Sequence, residues 1–194
     1  MGLDLQECEL KTEISRKTFL LGSTGAFLAS SLYCKEESSP MKNSLRLDSL
    51  EKVQILLKQL ETSPEWTARG EWDTNQVFHH CAQSIEYSMT GYPENKNPLF
   101  QKTIGKIVLG TFLFRGTMSH NLADPIPGAP SLPEPSPSYV TGLARLQKSI
   151  SDFLAYSSPL APHFVYGEVS PSDYNKVHAM HIANHLNLFE GIPD

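Results

Sequence analysis

The chain has 194 residues, of which 40% are hydrophobic, so it can bury one sizeable core but is short for two full domains. Its net charge of −5 and pI near 5.8 argue against a nucleic-acid-binding protein, because no basic patch stands out. The low charged fraction of 19% indicates a folded chain, and the three cysteines lack the spacing of a disulfide framework or zinc knuckle.

The beginning of the chain resembles a targeting segment. Arg16 and Lys17 precede an apolar stretch over residues 19–32, followed by small residues, which is typical of a cleaved export signal. The basic pair is similar to that of a twin-arginine signal, with lysine in the second place. The apolar stretch is too short for a permanent membrane span. Cys34 is the candidate lipid anchor if the protein is a lipoprotein, and it is the only membrane attachment that the sequence predicts.

We therefore predict an export signal or tether over residues 1–40 and one folded domain over residues 41–194. The predicted location is outside the cytoplasm, in the periplasm or cell envelope. The alternative is an uncleaved amino-terminal helix in a cytoplasmic protein.

Five segments of the folded domain carry apolar residues at helical spacing. They cover residues 45–60, 75–90, 98–115, 139–153 and 170–189. Two loops rich in proline and glycine interrupt them, at residues 116–138 and 158–169, and the first of these is a candidate lid. Because no alternating strand pattern of useful length occurs, the predicted fold class is all-α, a helical bundle with long proline-rich connections.

Three histidines lie on one side of the last predicted helix. At about 100° per residue, His178, His181 and His185 fall within an arc of about 60°, on the side of Ile182, whereas Met180 is expected to point away from the core. Buried imidazoles need partners, since an unsatisfied polar group is costly in a core. The spacing of four between His181 and His185 lets both side chains bind one metal ion.

The second predicted helix supplies another candidate ligand. His80 lies at the flank of its buried side, whereas His79 lies nearer the polar side with Glu86. His80, His181 and His185 would leave a fourth coordination position open for water or substrate. Nickel, zinc, copper and iron all accept imidazole ligands, so the residues do not select the metal. The alternative is that neighbouring hydroxyls and carbonyls satisfy these histidines as ordinary core residues.

The remaining histidines have weaker assignments. His178 is the candidate catalytic residue, a general base or proton carrier with Glu86 or Tyr87 behind it. His120 and His163 lie in the loops, where a lone histidine is usually a surface residue and less often lines a pocket. The nearly all-round apolar segment 104–114 is a candidate homodimer surface.

Three short segments together resemble an uncharacterised branch of the DinB-like (YfiT-like) superfamily. They are His80-Cys-Ala-Gln-Ser-Ile-Glu-Tyr-Ser-Met89 with Gly91-Tyr92-Pro93, then Pro125-Ile-Pro-Gly-Ala-Pro130, then His181-x-x-x-His185. The resemblance covers residues 43–190. It implies a four-helix bundle with a three-histidine metal site, often nickel or zinc, whose ligands here would be His80, His181 and His185. Iron stays a further option because imidazole ligands also suit it. Some members of that superfamily are thiol-dependent transferases or metal-dependent hydrolases.

The sequence thus leaves three functions open. The first is a metal-dependent hydrolase or transferase acting on an unidentified small molecule. The second is a non-catalytic metal-binding or small-ligand-binding protein of the cell envelope, and the absence of a nucleophile elbow or phosphate loop agrees with it. The third is a bundle whose histidines bind nothing and which acts through a partner.

Overall fold

The structure is a computed structural model that describes residues 44–62 and 66–192. The predicted export signal and Cys34 lie outside the described residues, so the division into residues 1–40 and 41–194 stays a prediction. The elements are α1 (Leu50–Thr62), β1 (Thr67–Ala68), α2 (Thr74–Thr90), α3 (Pro98–Phe100), a π-helical segment (Gln101–Gly105), α4 (Lys106–Arg115), α5 (Val140–Ala155), α6 (Pro171–Leu186) and β2 (Phe189–Glu190).

The four long helices α1, α2, α5 and α6 pack against one another, which confirms the all-α prediction. Their inward faces form one apolar core that includes Leu57, Phe78, Leu146 and Ile182. Helices α2 and α5 approach closely because α5 has a glycine where they meet. A Cβ atom on Gly142 would lie 2.6 Å from the backbone oxygen of Asn75, whose side chain accepts a hydrogen bond from the Gly142 N–H.

Side chains from distant parts of the chain fix where α1 begins, whereas a local cap fixes the start of α2. The predicted helix over residues 45–60 begins only at Leu50, because Asn175 of α6 accepts a hydrogen bond from the Leu50 N–H at 2.6 Å. The backbone N–H of Leu45 donates instead to the Asn187 side chain. Helix α2 begins at a reciprocal cap, in which Asp73 and Gln76 each accept a hydrogen bond from the other's backbone N–H.

The single helix predicted over residues 98–115 contains a π-helical segment, Gln101–Gly105, between α3 and α4. At its end, a Cβ atom on Gly105 would lie 2.1 Å from the backbone oxygen of Val165. Glycine therefore lets this segment press against the loop that carries His163. The hydrophobic spacing carries no signal for this change of helix type.

One expectation for the last helix was wrong, and a second was right only in part. Helix α6 ends at Leu186 instead of continuing to Phe189, which belongs to β2 and pairs antiparallel with β1. Met180 does point away from the main core, as predicted, but that side is not polar and open: Met180 is 3% exposed, in a second apolar cluster with Leu109 and Tyr166. The loops and α4 cover the side of α6 that faces away from the main core, so this helix is buried on almost all sides.

Among the described residues, no helix has the length and apolar character needed to cross a membrane. Helix α4 exposes two large apolar side chains, Ile107 at 66% and Phe114 at 90%. This surface agrees in position with the predicted homodimer contact, and the dimer itself stays a prediction.

Candidate metal centre

Three buried imidazoles meet between α2 and α6. His80 comes from the middle of α2, and His181 and His185 come from successive turns of α6. Their exposed fractions are 3%, 8% and 2%. One ring nitrogen of each lies within 4.8 Å of the corresponding nitrogens of the other two, so the group could hold one metal ion.

The spacing of these rings suits a shared ion. The Nε2 atoms of His181 and His185 lie 3.1 Å apart. Two nitrogens bound tetrahedrally at ordinary zinc–nitrogen lengths lie roughly 3.3 Å apart. The three ring centres are 4.9–5.1 Å from one another. His80 Nδ1 is buried and has no hydrogen-bond partner among the described residues. Hydrogen bonds to neighbouring core residues therefore do not satisfy every nitrogen of the three rings.

The environment keeps these rings in the form that binds metals. Burial is the main cause that lowers the pKa of His80, to about 4, and that of His185, to about 2. The pKa of His181 is also well below its ordinary value, through burial and then through the neighbouring histidines. All three imidazoles are therefore neutral at pH 7 and each keeps a lone pair for coordination.

Trp72 forms one wall of the cluster. Its ring is stacked on His185 with ring centres 6.2 Å apart and lies 4.8 Å from the ring of His80. Trp72 precedes the Asp73 cap, so the start of α2 fixes its place beside the histidines. Trp72 lies between the predicted helices over residues 45–60 and 75–90, so its position in the sequence carried no signal for this contact.

The proline-rich segment 116–138 (the covering segment) also lies against the cluster. His120 lies on this segment, and its ring centre is 5.0 Å from that of His181 and 5.6 Å from that of His185. The segment is held along α2, where Gln83 and Gln76 donate hydrogen bonds to the backbone oxygens of Pro130 and Pro133. The predicted lid therefore lies over the site.

A cavity of about 600 Å³ opens beside the cluster. His80 and His181 line it, together with residues of the covering segment and of the loop that carries His163. Most of its wall is apolar, including Phe112, Ile126 and Val177, and Lys96 and Asp124 bring one positive and one negative charge. A small, largely apolar molecule would fit such a chamber.

The candidate catalytic residue His178 is placed away from this cavity. It is 1% exposed, stacked on Tyr174 and edge-on to Phe153, and it is not among the residues that line the chamber. Burial lowers its pKa to about 3, which makes it a poor proton acceptor at neutral pH. Neither of its ring nitrogens has a hydrogen-bond partner among the described residues.

Glu86 is also engaged elsewhere. Its carboxylate accepts hydrogen bonds from Arg145 at 2.6 and 3.0 Å and from the Ser149 hydroxyl, linking α2 to α5. Arg145 also contacts His79, which is half-buried as expected for the polar side of α2. Glu86 therefore serves the packing of two helices and does not support His178.

His163 lines the cavity with a structural role of its own. Its Nδ1 accepts hydrogen bonds from the backbone N–H groups of Val165 and Tyr166, and its ring is stacked on that of Tyr166. Both loop histidines, His120 and His163, thus reach the pocket, which sequence spacing alone could not decide.

Residues 40–191 match the family described as a protein of unknown function (DUF1569). The chain belongs to the DUF1569 family. No curated protein and no solved structure matches it. The DUF1569 assignment covers the whole described bundle, and it leaves the DinB-like resemblance a prediction. Within this DUF1569 chain, the histidine spacing on α6 was the strongest sequence signal for the site. Trp72 was identified only by its position in the fold, and the fold brought His120, which the sequence offered only as a loop histidine, to the cluster.

Proposed function

We propose that this protein binds one divalent metal ion through His80, His181 and His185. The observation that carries the proposal is the meeting of three neutral, buried imidazoles from two helices within 4.8 Å. Nickel and zinc are the proposed ions, with iron as an alternative, since each accepts nitrogen ligands. An ion held there would supply Lewis acidity to an oxygen-containing or sulfur-containing group of a substrate.

We further propose that the site acts on a small molecule held in the adjoining cavity, in a hydrolytic or group-transfer reaction. The apolar wall, which includes Phe112 and Val177, would exclude water from the bound molecule, while Lys96 could orient an anionic group. The resemblance to the DinB-like superfamily supports this choice of reaction class. The proposed location, after export, is the periplasm or cell envelope, with the cytoplasm as the alternative.

One observation favours a second function, a non-catalytic metal-binding protein. His178 and Glu86, the groups that the sequence offered for proton transfer, both lie in structural contacts away from the cavity. A catalytic site would then need its base from the substrate or from another cavity residue such as Asp124.

The first test is elemental analysis of tag-free protein with the variants His181→Ala, His185→Ala and His79→Ala. We expect about one equivalent of metal in the wild type, its loss in the first two variants, and its retention in His79→Ala, whose ring contacts Arg145 instead. Metal retained in His181→Ala would contradict the ligand assignment. Absence of metal from the wild type, with none taken up on titration, would contradict the metal function altogether.

A second test separates catalysis from binding alone. Metal-loaded wild type is assayed with ester substrates and with thiol acceptors bearing small apolar groups, beside the variant Val177→Trp, which would fill part of the cavity. Turnover that the cavity variant reduces while metal content stays constant would support the enzyme. Metal binding without turnover of any of these compounds would favour the non-catalytic protein.

A further inference from the structure

His120 stands over the three-histidine cluster on the covering segment. Its ring centre is 5.0 Å from that of His181 and 5.6 Å from that of His185, close to the 4.9–5.1 Å separations within the cluster itself. Four imidazoles around one tetrahedral ion place their ring centres roughly 5 Å apart. His120 therefore lies at the spacing of the cluster from His181 and His185, although it is not one of the three histidines whose ring nitrogens all lie within 4.8 Å of one another.

The hydrogen bond of His120 leaves its Nε2 atom free to bind a metal ion. Its Nδ1 lies 2.8 Å from the backbone oxygen of Asn121. A carbonyl oxygen can only accept, so in the neutral ring Nδ1 carries the hydrogen and Nε2 keeps its lone pair. A backbone carbonyl on the distal nitrogen is the usual partner of a metal-binding histidine, since it fixes both tautomer and ring orientation.

The local chain holds His120 at this place. Met118 and Ile126 on either side of it are 9% and 5% exposed and anchor the segment in the protein. Between them, the Asn121 side chain donates a hydrogen bond to Asp124 at 2.6 Å and accepts a longer one from the Ala123 N–H. This compact turn presents the imidazole to the cluster, while the ring itself remains exposed to solvent.

The covering segment also separates two chambers at this point. Residues on both sides of His120 line the large cavity that reaches His80 and His181. Asn121, Leu122 and Ala123 line a second cavity of about 190 Å³ that reaches His185. His120 itself lines the large cavity, beside the two ligands that this cavity reaches.

We propose that His120 is a fourth, displaceable protein ligand of the metal ion. This inference rests on the proposed metal function and adds to it which group occupies the fourth coordination position. His80, His181 and His185 form the permanent part of the site, and His120 closes it while the covering segment lies in place. A molecule in the cavity would then reach the site only after the His120 side chain turns outward, a movement that its exposed position permits.

Cobalt(II) ion is the probe for this proposal, because the position of its visible absorption bands depends on which atoms bind it. Metal-free wild type, His120→Ala and His79→Ala are titrated with cobalt(II), and affinity and spectrum are recorded. Wild type and His79→Ala should give the same spectrum. In His120→Ala water takes the place of one nitrogen ligand, so the absorption bands should shift, and binding should be about 10- to 100-fold weaker, the range found when groups around metal ligands are removed. Added imidazole should restore the wild-type spectrum to His120→Ala.

The outcomes distinguish this proposal from the one on which it rests. If His120→Ala binds cobalt(II) with wild-type affinity and spectrum, the fourth ligand is wrong and the three-histidine site stands. If the wild type takes up no cobalt(II), both proposals are wrong. Because His120 is exposed on a loop, its replacement should leave the helical circular dichroism unchanged, so lost affinity would not reflect lost folding.

Discussion

The Nε2 atoms of His181 and His185 lie 3.1 Å apart on successive turns of α6, and both side chains are buried. Without an ion, one neutral imidazole can donate its hydrogen to the other, which satisfies one nitrogen of each ring. With an ion bound, each Nε2 atom would direct its lone pair at that ion. The pair is therefore compatible with a folded protein that exchanges metal without reorganising the helix.

Metal should stabilise the fold through this pair. An ion that binds only the folded chain raises the free energy of unfolding by about 2.7 kcal/mol at a free concentration of 100 Kd. We expect zinc or nickel to raise the melting temperature of the wild type and EDTA to reverse the change. His185→Ala should show no such response, and a metal-dependent rise in that variant as large as in wild type would contradict its role as ligand.

Trp72 should report metal binding by fluorescence. Its ring lies 4.8 Å from His80 and stacks on His185, whereas Trp66, the other tryptophan, belongs to the main apolar core. We expect copper(II) or nickel(II) to quench part of the emission of the wild type. In Trp72→Phe the quenching should disappear although elemental analysis still finds the metal. Equal quenching in Trp66→Phe and Trp72→Phe would place the ion elsewhere.

Replacing His178 by phenylalanine should stabilise the protein. Both ring nitrogens of His178 are buried without a partner among the described residues, and its ring packs between Tyr174 and Phe153. Removing an unsatisfied buried polar group while keeping an aromatic ring should add about 1–2 kcal/mol to the free energy of unfolding. Urea denaturation measures the change, with His178→Ala as a control that leaves a cavity and should destabilise. Lower stability and lost metal in His178→Phe would contradict this structural role and show that His178 belongs to the functional site.

Stability should fall in acid, partly because of His163. Burial first, and then the neighbouring His178, lowers the pKa of His163 to about 3 in the folded protein. Below about pH 6.5 the unfolded chain therefore binds a proton that the folded chain does not, so the contribution of this group is full above pH 6.5 and is lost as the pH falls toward 3. For one group the loss approaches about 1.4 kcal/mol per pH unit.

The matched variant for this pH effect is His163→Asn. The asparagine oxygen can accept the Val165 and Tyr166 N–H groups that His163 Nδ1 accepts now, but it does not titrate in this range. We expect a shallower decline of unfolding free energy between pH 6.5 and 4 in His163→Asn. An identical decline in both proteins would assign the acid sensitivity to the other buried histidines.

The sequence by itself predicted the approximate positions of the helices and all three candidate ligands, His80, His181 and His185. The predicted and observed bounds of α2 differ by one residue, because a polar cap and a Gly91 stop act locally. His181 and His185 followed from helical geometry alone, since their separation depends only on residues of the same helix. The late start of α1 could not be predicted in this way, because Asn175 and Asn187, far along the chain, bind its first backbone groups.

Only the tertiary structure decided whether the predicted partner His80 meets that pair, and which further side chains lie beside it. The placing of His80 and Trp72 against α6 depends on how α2 packs there, and that of His120 on the path of a proline-rich segment without periodicity. His178 shares its helix side with His181 and His185, yet the aromatic rings of Phe153 and Tyr174 enclose it in the core. The spacing along one helix determines on which side of that helix a side chain lies. Long-range packing determines which residues it meets there, and so which histidines can share an ion.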